Sequence, residues 1–435
     1  MKAIKLMKWL SVVTAVMLLT VLGMRAWDSQ RGPPLELWHT FVPHEMTAGE
    51  IAASDWTRYL AAEARVFEEV RTQVTEKLGE ESRHAANRYN AESPIYPGRF
   101  AVDWNRSFIM EPDGAPVGAV VLLHGLTDSP YSARHIAQRY RDNGYVAVAI
   151  RLPGHGTVPS GLTDVEWDQW SEATRLAVRE VRRRAGASVP LHVVGYSNGG
   201  ALALKYALVP EFNPFKYNSF PVNAARQSSL VARALQQQLA QYARDGRLAE
   251  LAPILTFQSV VDFTVSTRAI VNALYVNLPA NGSELVLFDL NRSVRFGPLF
   301  RAGTDTIVTR LLPDPPRTFR TAIITNAGPG SADVVERVTE AGATTQQTRP
   351  LGLAFPRDVF SLSHIALPFP LNDALYGLEP DPAEDFGVNL GAMATRGERG
   401  ALVISVDALN RLTANPFFSY LLDRIEEGIG RTPAH

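Results

Sequence analysis

The chain of 435 residues contains no cysteine. That absence excludes disulfides, thiol nucleophiles and Cys-ligated zinc, and it suits a reducing or an oxidising compartment equally. A formal net charge of −1 gives no electrostatic reason for a nucleic-acid partner. Internal repeats and low-complexity tracts are missing as well. What remains is an ordered globular composition, 46% apolar and 20% charged, long enough for one large core, alone or with accessory segments.

Charge is also absent from one terminal stretch. Lys2, Lys5 and Lys8 precede sixteen uncharged residues, Trp9 to Met24, and Arg25 ends the run. Basic residues followed by an apolar run are the layout of a secretory signal or signal anchor. The reading is an uncleaved membrane anchor over 1–27, with the lysines cytoplasmic and the catalytic part exported. The alternative is a secreted protein cleaved after Gly23. Residues 28–105 then form an N-terminal helical or stalk region. From Ser54, a capping candidate, Trp56, Leu60, Phe67, Val70, Val74 and Leu78 recur on one helical face.

Strands and helices alternate from Arg106 onward. Strand-like runs stand at Arg106–Met110, Gly118–Leu123, Tyr145–Ile150 and Leu191–Val194, with helices predicted over Ser132–Asn143 and Asp164–Arg184. Strands separated by helices imply right-handed crossovers and a mostly parallel sheet covered on both faces. Ligands in such sheets sit beyond the carboxyl ends of the strands. The most informative segment lies there. The run into Gly195-Tyr-Ser-Asn-Gly199 is a G-x-S-x-G elbow between a strand and the helix-favouring Ala201–Leu208. Such a turn strains the serine, and glycines on either side let the two backbones approach.

A serine hydroxyl needs a base, and the base needs an acid to orient it. On an elbow of this kind the chain order is Ser, then Asp or Glu, then His. Of nine histidines only His364 and the terminal His435 follow Ser197, which makes His364 the candidate base. Pro253–Val261 reads as a strand running into Asp262, the favoured acid. Asp289, after the strand-like Leu285–Phe288, is the rival. A developing oxyanion needs backbone donors. Asn198, after the nucleophile, offers one, and the loop Leu123-His-Gly-Leu-Thr-Asp-Ser-Pro130 offers Leu126 as the second. His124 and His155 are read as residues that order their loops. No metal or cofactor is expected.

The segments Leu122–Pro130, Arg151-Leu-Pro-Gly-His-Gly156 and Gly195–Gly199 together resemble the α/β-hydrolase superfamily, in its monoacylglycerol lipase and serine aminopeptidase-like branch. The resemblance is best over Gly118–Leu208 and resumes at the Asp262 strand. It implies Ser197 as nucleophile, Asp262 as acid, His364 as base, and Leu126 and Asn198 as oxyanion donors. It further implies hydrolysis of small-molecule acyl esters through an acyl-enzyme, as in an esterase or lipase.

Two departures from that pattern stand out. No apolar strand is found between Leu208 and Pro253, where a polar, Gln-rich helix over about Ala225–Tyr242 stands instead. The elbow and acid strands then either pair directly or leave a gap, and either outcome threatens the Asp262–His364 contact. About a hundred residues also separate Asp262 from His364. This excess contains a strand-like Thr321–Thr325 and a helix predicted near Val334–Glu340. The expected domain is therefore 106–435, with a cap-like segment over 209–250 and an insertion at about 291–355 that extends the sheet edge or covers the site. The aromatic-rich Phe212–Phe220 is either part of an acyl site or lid, or ordinary cap packing. Two other functions compete with an esterase: a peptidase releasing N-terminal residues, whose amine-binding carboxylate is not marked here, and a non-catalytic hydrolase-like binding protein.

Overall fold

The computed structural model describes residues 9, 13–24, 35–208, 222–262, 264–293, 297–301, 303–357, 359–391 and 411–431. Two compact units divide the chain, residues 1–40 and 41–435. In the first, a helix over 13–24 leaves Val16, Met17, Leu19 and Leu22 exposed. Among the described residues no helix is long and apolar enough to cross a membrane. The anchor expected over 1–27 falls in large part outside them, as do Phe212–Phe220 and His435.

The first long helix of the second unit is α1 (Trp56–Val70), after a short helical turn over Ala48–Ala52. Its cap is Asp55 and not Ser54. The Asp55 carboxylate accepts the Arg58 N–H at 2.8 Å, where it also faces the positive end of the helix dipole. Ser54 donates its hydroxyl to the Glu50 carbonyl instead. Trp56 and Tyr59 of α1 are buried in the domain core, so the helix is packed on the domain, one of the two arrangements expected of it.

The first sheet has the order β1 (Phe108–Met110), β3 (Tyr145–Ile150), β2 (Gly118–Leu123), β4 (Leu191–Gly195). Strands β2, β3 and β4 are parallel and β1 is antiparallel to β3. Helices α2 (Arg134–Asp142) and α3 (Trp167–Ala185) supply the crossovers. Period-two alternation explains the continuous apolar runs. Ala119, Val121 and Leu123 pack with Trp170 and Leu176 of α3, while Val120 and Leu122 pack with Ala137 and Tyr140 of α2. Helix α4 (Asn198–Leu208) leaves the elbow, and α5 (Val222–Arg244) is the Gln-rich helix.

The second sheet has the order β5 (Leu255–Ser259), β6 (Glu284–Phe288), β7 (Arg320–Asn326), β8 (Asp333–Thr339), β9 (Gln347–Ala354). Helix α6 (Thr267–Ala273) connects the parallel strands β5 and β6. Strands β7, β8 and β9 pair antiparallel. Four of the seven ladders in these two sheets are parallel, as the sequence reading expected, and the antiparallel ones lie at β1 and at β7, β8 and β9.

The helix expected near Val334–Glu340 is strand β8. Val334, Val335 and Val338 are spaced like one face of a helix, but β-branched residues favour the pleated state and β8 has a ladder on each side. The excess chain after Asp262 thus extends the sheet edge.

No ladder joins β4 to β5, and among the described residues no strand lies between Leu208 and Leu255. Of the two outcomes considered for the missing strand, the gap is the one that occurs. Helix α7 (Phe418–Arg431) spans it. Phe417 and Tyr420 pack into the core of the second sheet, while Phe418, Leu421 and Ile425 pack into that of the first. Leu255 and Phe257 of β5 touch both cores, and Arg424 of α7 pairs with the buried Glu284 of β6. Each such apolar side chain contributes about 1.5–3 kcal/mol on burial, which lets one helix stand in for the absent ladder.

Candidate active site

Ser197 sits between β4 and α4 with φ of +54°, a left-handed conformation that costs a non-glycine residue roughly 1–3 kcal/mol. The elbow that imposes it is held by backbone contact. The Tyr196 N–H donates to the Leu123 carbonyl at 3.0 Å. A Cβ at Gly195 would collide with the Gly199 carbonyl, and one at Gly199 with the carbonyl of Leu123. Both glycines are therefore required by close approach, as the sequence pattern implied. Asn198 is the first residue of α4, where a backbone N–H has no intrahelical acceptor.

His364 lies two residues past the short strand β10 (Ser361–Leu362), which pairs with β11 (Arg411–Leu412). Its Nδ1 is 2.7 Å from Asp262 Oδ2, a charge-assisted distance. Both side chains are buried, Asp262 completely. Asp262 lies three residues beyond the end of β5, and its carboxylate is fixed from several directions. Oδ1 accepts the N–H groups of Thr264 and Val265 at 2.8 and 2.9 Å, and Oδ2 also accepts Gln258 Nε2 at 2.8 Å. The rival Asp289 is engaged elsewhere. It holds Arg292 through two nitrogens at 2.6 and 2.9 Å and accepts the Thr325 hydroxyl and the Leu290 N–H.

Tyr196 joins the acid–base pair to the elbow, and sequence reasoning missed it. Its ring stacks on the His364 imidazole, centroids 5.3 Å apart, and its hydroxyl donates to the His364 carbonyl at 3.2 Å. The residue beside Ser197 thus carries the histidine across the gap between the sheets. The variable position of a G-x-S-x-G pattern gives no sequence signal for such a role.

The second loop beside the elbow is equally determined. Gly125 lies against it: a Cβ there would come within 3.0 Å of the Tyr196 ring and 3.4 Å of Ser197 Cβ. His124 Nε2 accepts the Leu152 N–H at 3.0 Å, so in the neutral ring the proton is on Nδ1, which donates to the Gly125 carbonyl at 2.8 Å. Burial pushes the His124 pKa down to about 3, outweighing the help of that carbonyl, and the ring stays neutral. His155 is buried against His124 and Trp170 and is likewise held well below its ordinary value, by burial first. Both histidines order their loops, as expected. Arg151, the residue immediately after β3, pairs with Glu45 and Glu63 at 2.7 and 3.2 Å. This ties the chain before and within α1 to the loop bearing His155. Leu126 is buried beside Gly125.

Among the described residues no group of His, Asp and Glu is arranged to hold a metal ion. The arrangement offers a strained hydroxyl and a carboxylate-oriented imidazole, with the loop of Gly125 and Leu126 set against the elbow.

Residues 114–217 match the family model described as serine aminopeptidase, S33. The chain is 31% identical over 123 residues to a thermostable monoacylglycerol lipase of Bacillus sp. (strain H-257), covering 28% of this chain and 46% of that protein. It is 26% identical over 163 residues to an uncharacterized abhydrolase domain-containing protein of Dictyostelium discoideum, covering 37% of this chain and 16% of the other. The chain spans less than half the length of these curated relatives. Among solved structures, one from a study of the metagenome-derived lipolytic enzymes LipS and LipT is 20% identical with a TM-score of 0.35, covering 43% of this chain and 89% of that one. Est1E from Butyrivibrio proteoclasticus, bound to ferulic acid, is 13% identical with a TM-score of 0.31, covering 42% and 84%.

Proposed function

We propose that this chain, an α/β-hydrolase of esterase- and lipase-like family, is a serine hydrolase that cleaves carboxylic acyl esters through an acyl-enzyme. The observation that carries the proposal is the 2.7 Å Asp262–His364 contact stacked against Tyr196, the neighbour of the strained Ser197. Asp262 keeps the His364 proton on Nδ1, so Nε2 takes the Ser197 proton as the oxygen attacks the ester carbonyl. The carbonyl electrons move onto oxygen, where the N–H groups of Asn198 and Leu126 stabilise the anion. His364 then protonates the departing alkoxide, and water releases the acid by the same route. Labelling of the purified protein with a fluorophosphonate, followed by peptide mapping, is expected to put one adduct on Ser197. A folded protein left unlabelled, or labelled elsewhere, overturns the assignment.

The N-terminal segment tethers this activity to a membrane, with the catalytic part exported. Support comes from Lys2, Lys5 and Lys8 ahead of the Trp9–Met24 run and from the exposed apolar side chains over 13–24. Expressed in full, the chain is expected in the membrane fraction, resistant to carbonate and released by detergent. A shortened soluble product points to signal cleavage and removes the tether.

A further inference from the structure

Only two non-glycine residues of the described chain have positive φ, Ser197 and Thr127. Thr127, at +60°, turns the loop that supplies Leu126. Strain at a functional site persists only where its surroundings over-determine it, and Asp128 is the group that does so. Its Oδ2 accepts the Gly125 N–H at 3.3 Å, and the Ser129 N–H and Ser132 hydroxyl also act on its carboxylate. The Gly125 carbonyl accepts from His124 Nδ1 at 2.8 Å. Gly125 is therefore pinned at both ends, by Asp128 through the peptide before it and by His124 through the peptide after it. Its carbonyl belongs to the same planar peptide as the Leu126 N–H, so fixing one atom aims the other.

Among the described residues no cation offsets the Asp128 charge. On its own loop the titratable neighbour is His124, held neutral, and the turn after the loop presents Ser132. From the segment after His364 comes Tyr376, whose phenol is raised by burial first and then by Asp128 and Asp373, with Arg88 opposing. Burial pushes the Asp128 pKa up to about 6, only partly countered by the three donors. Protonation removes an acceptor from a carboxylate that three donors share.

Resting on the esterase reading, we propose that Asp128 is a positioning residue whose ionised carboxylate aims the Leu126 N–H at the oxyanion, so that turnover requires Asp128 deprotonated in addition to a neutral His364. The test is kcat/KM for a soluble ester between pH 4.5 and 8, with circular dichroism to follow the fold. In the wild type, protonation of Asp128 in addition to the base steepens the acid limb of log kcat/KM beyond a slope of one until the residual rate of the protonated form is reached. Asp128→Asn is expected to reduce the slope to one and to lower kcat at neutral pH by about tenfold to a hundredfold with little change in KM. A wild-type slope of one in an active enzyme overturns the role of Asp128 alone, and that measurement needs no variant. An Asp128→Asn profile with the wild-type slope overturns it as well. A wild type with neither ester turnover nor a Ser197 adduct removes the esterase reading and this inference with it.

Discussion

Ser197→Ala is expected to lower kcat for an acyl ester by about 10⁶ and to abolish fluorophosphonate labelling, while Asp262→Asn is expected to lower it by about 10⁴. The two losses differ because the residues do different work. In the proposed mechanism Ser197 forms the bond to the acyl group, while the other hydroxyl of the elbow, that of Tyr196, is held on the His364 carbonyl. Asp262 touches no reacting atom. Its Oδ2 meets His364 Nδ1 at 2.7 Å and its Oδ1 is filled by two backbone N–H groups. An asparagine with its oxygen toward those amides turns its NH₂ group to His364. The imidazole then accepts at Nδ1 and carries its proton on Nε2, where it blocks removal of the Ser197 proton. Asp289→Asn supplies the contrast. Asp289 is occupied by Arg292 and Thr325, so its loss is expected to leave kcat within a few-fold. Steady-state kinetics on the three variants, with labelling rates, checks the set. Equal losses for Asp262→Asn and Asp289→Asn would remove the assignment of the acid.

Much of this site was legible in the sequence because its signals are local. Glycines flanking Ser197, a strand before it and a helix after it are consequences of one tight turn. Chain order reduced the histidines to His364, and a strand end selected Asp262. The sheet beside the site was legible only as an absence. No apolar run follows Leu208, and among the described residues no strand lies between it and Leu255. What the sequence did not disclose is why the acid and base still meet. Adjacent residues at the start of α7 and just before it face two different cores, Phe417 and Tyr420 one, Phe418 and Leu421 the other, and that division depends on tertiary placement. The strand β8 was hidden for a related reason. Glu336 is buried in mid-strand because Tyr420 of α7 donates to it at 2.7 Å and Arg349 of β9 pairs with it. A local window holds neither partner.

Asp373→Asn is expected to destabilise the fold by about 3–5 kcal/mol, the cost of leaving a buried cation without its partner. Arg134 is 1% exposed and Asp373 is fully enclosed. The carboxylate receives Arg134 at 2.9 Å, the Tyr131 hydroxyl at 2.8 Å, His135 Nε2 at 3.1 Å, and the N–H groups of Leu375 and Tyr376. Glu384, at 3.1 Å from the other Arg134 nitrogen, remains in the variant but is itself part-exposed. Burial alone would raise the Asp373 pKa, yet the His135 bond, the Arg134 charge and the Tyr376 N–H hold it down at about 2. Because the folded value lies below the unfolded one, the stabilisation is complete above about pH 4 and is lost as pH falls through 2. The pKa difference corresponds to about 2 kcal/mol. Urea unfolding of the wild type should therefore weaken between pH 4 and 2 by more than that of Asp373→Asn. Replacing Arg134 as well, Arg134→Met with Asp373→Asn, removes the unpaired cation while the asparagine oxygen still accepts from Tyr131, Leu375 and Tyr376, and is expected to recover part of the stability at neutral pH. On the proposed mechanism the cluster also has a catalytic consequence. Tyr131 and Arg134 follow the loop of Leu126, and Asp373 follows the loop of His364, so this one buried carboxylate fastens the oxyanion side of the site to its base. Recovery of stability without recovery of kcat in the double variant would separate that fastening from folding.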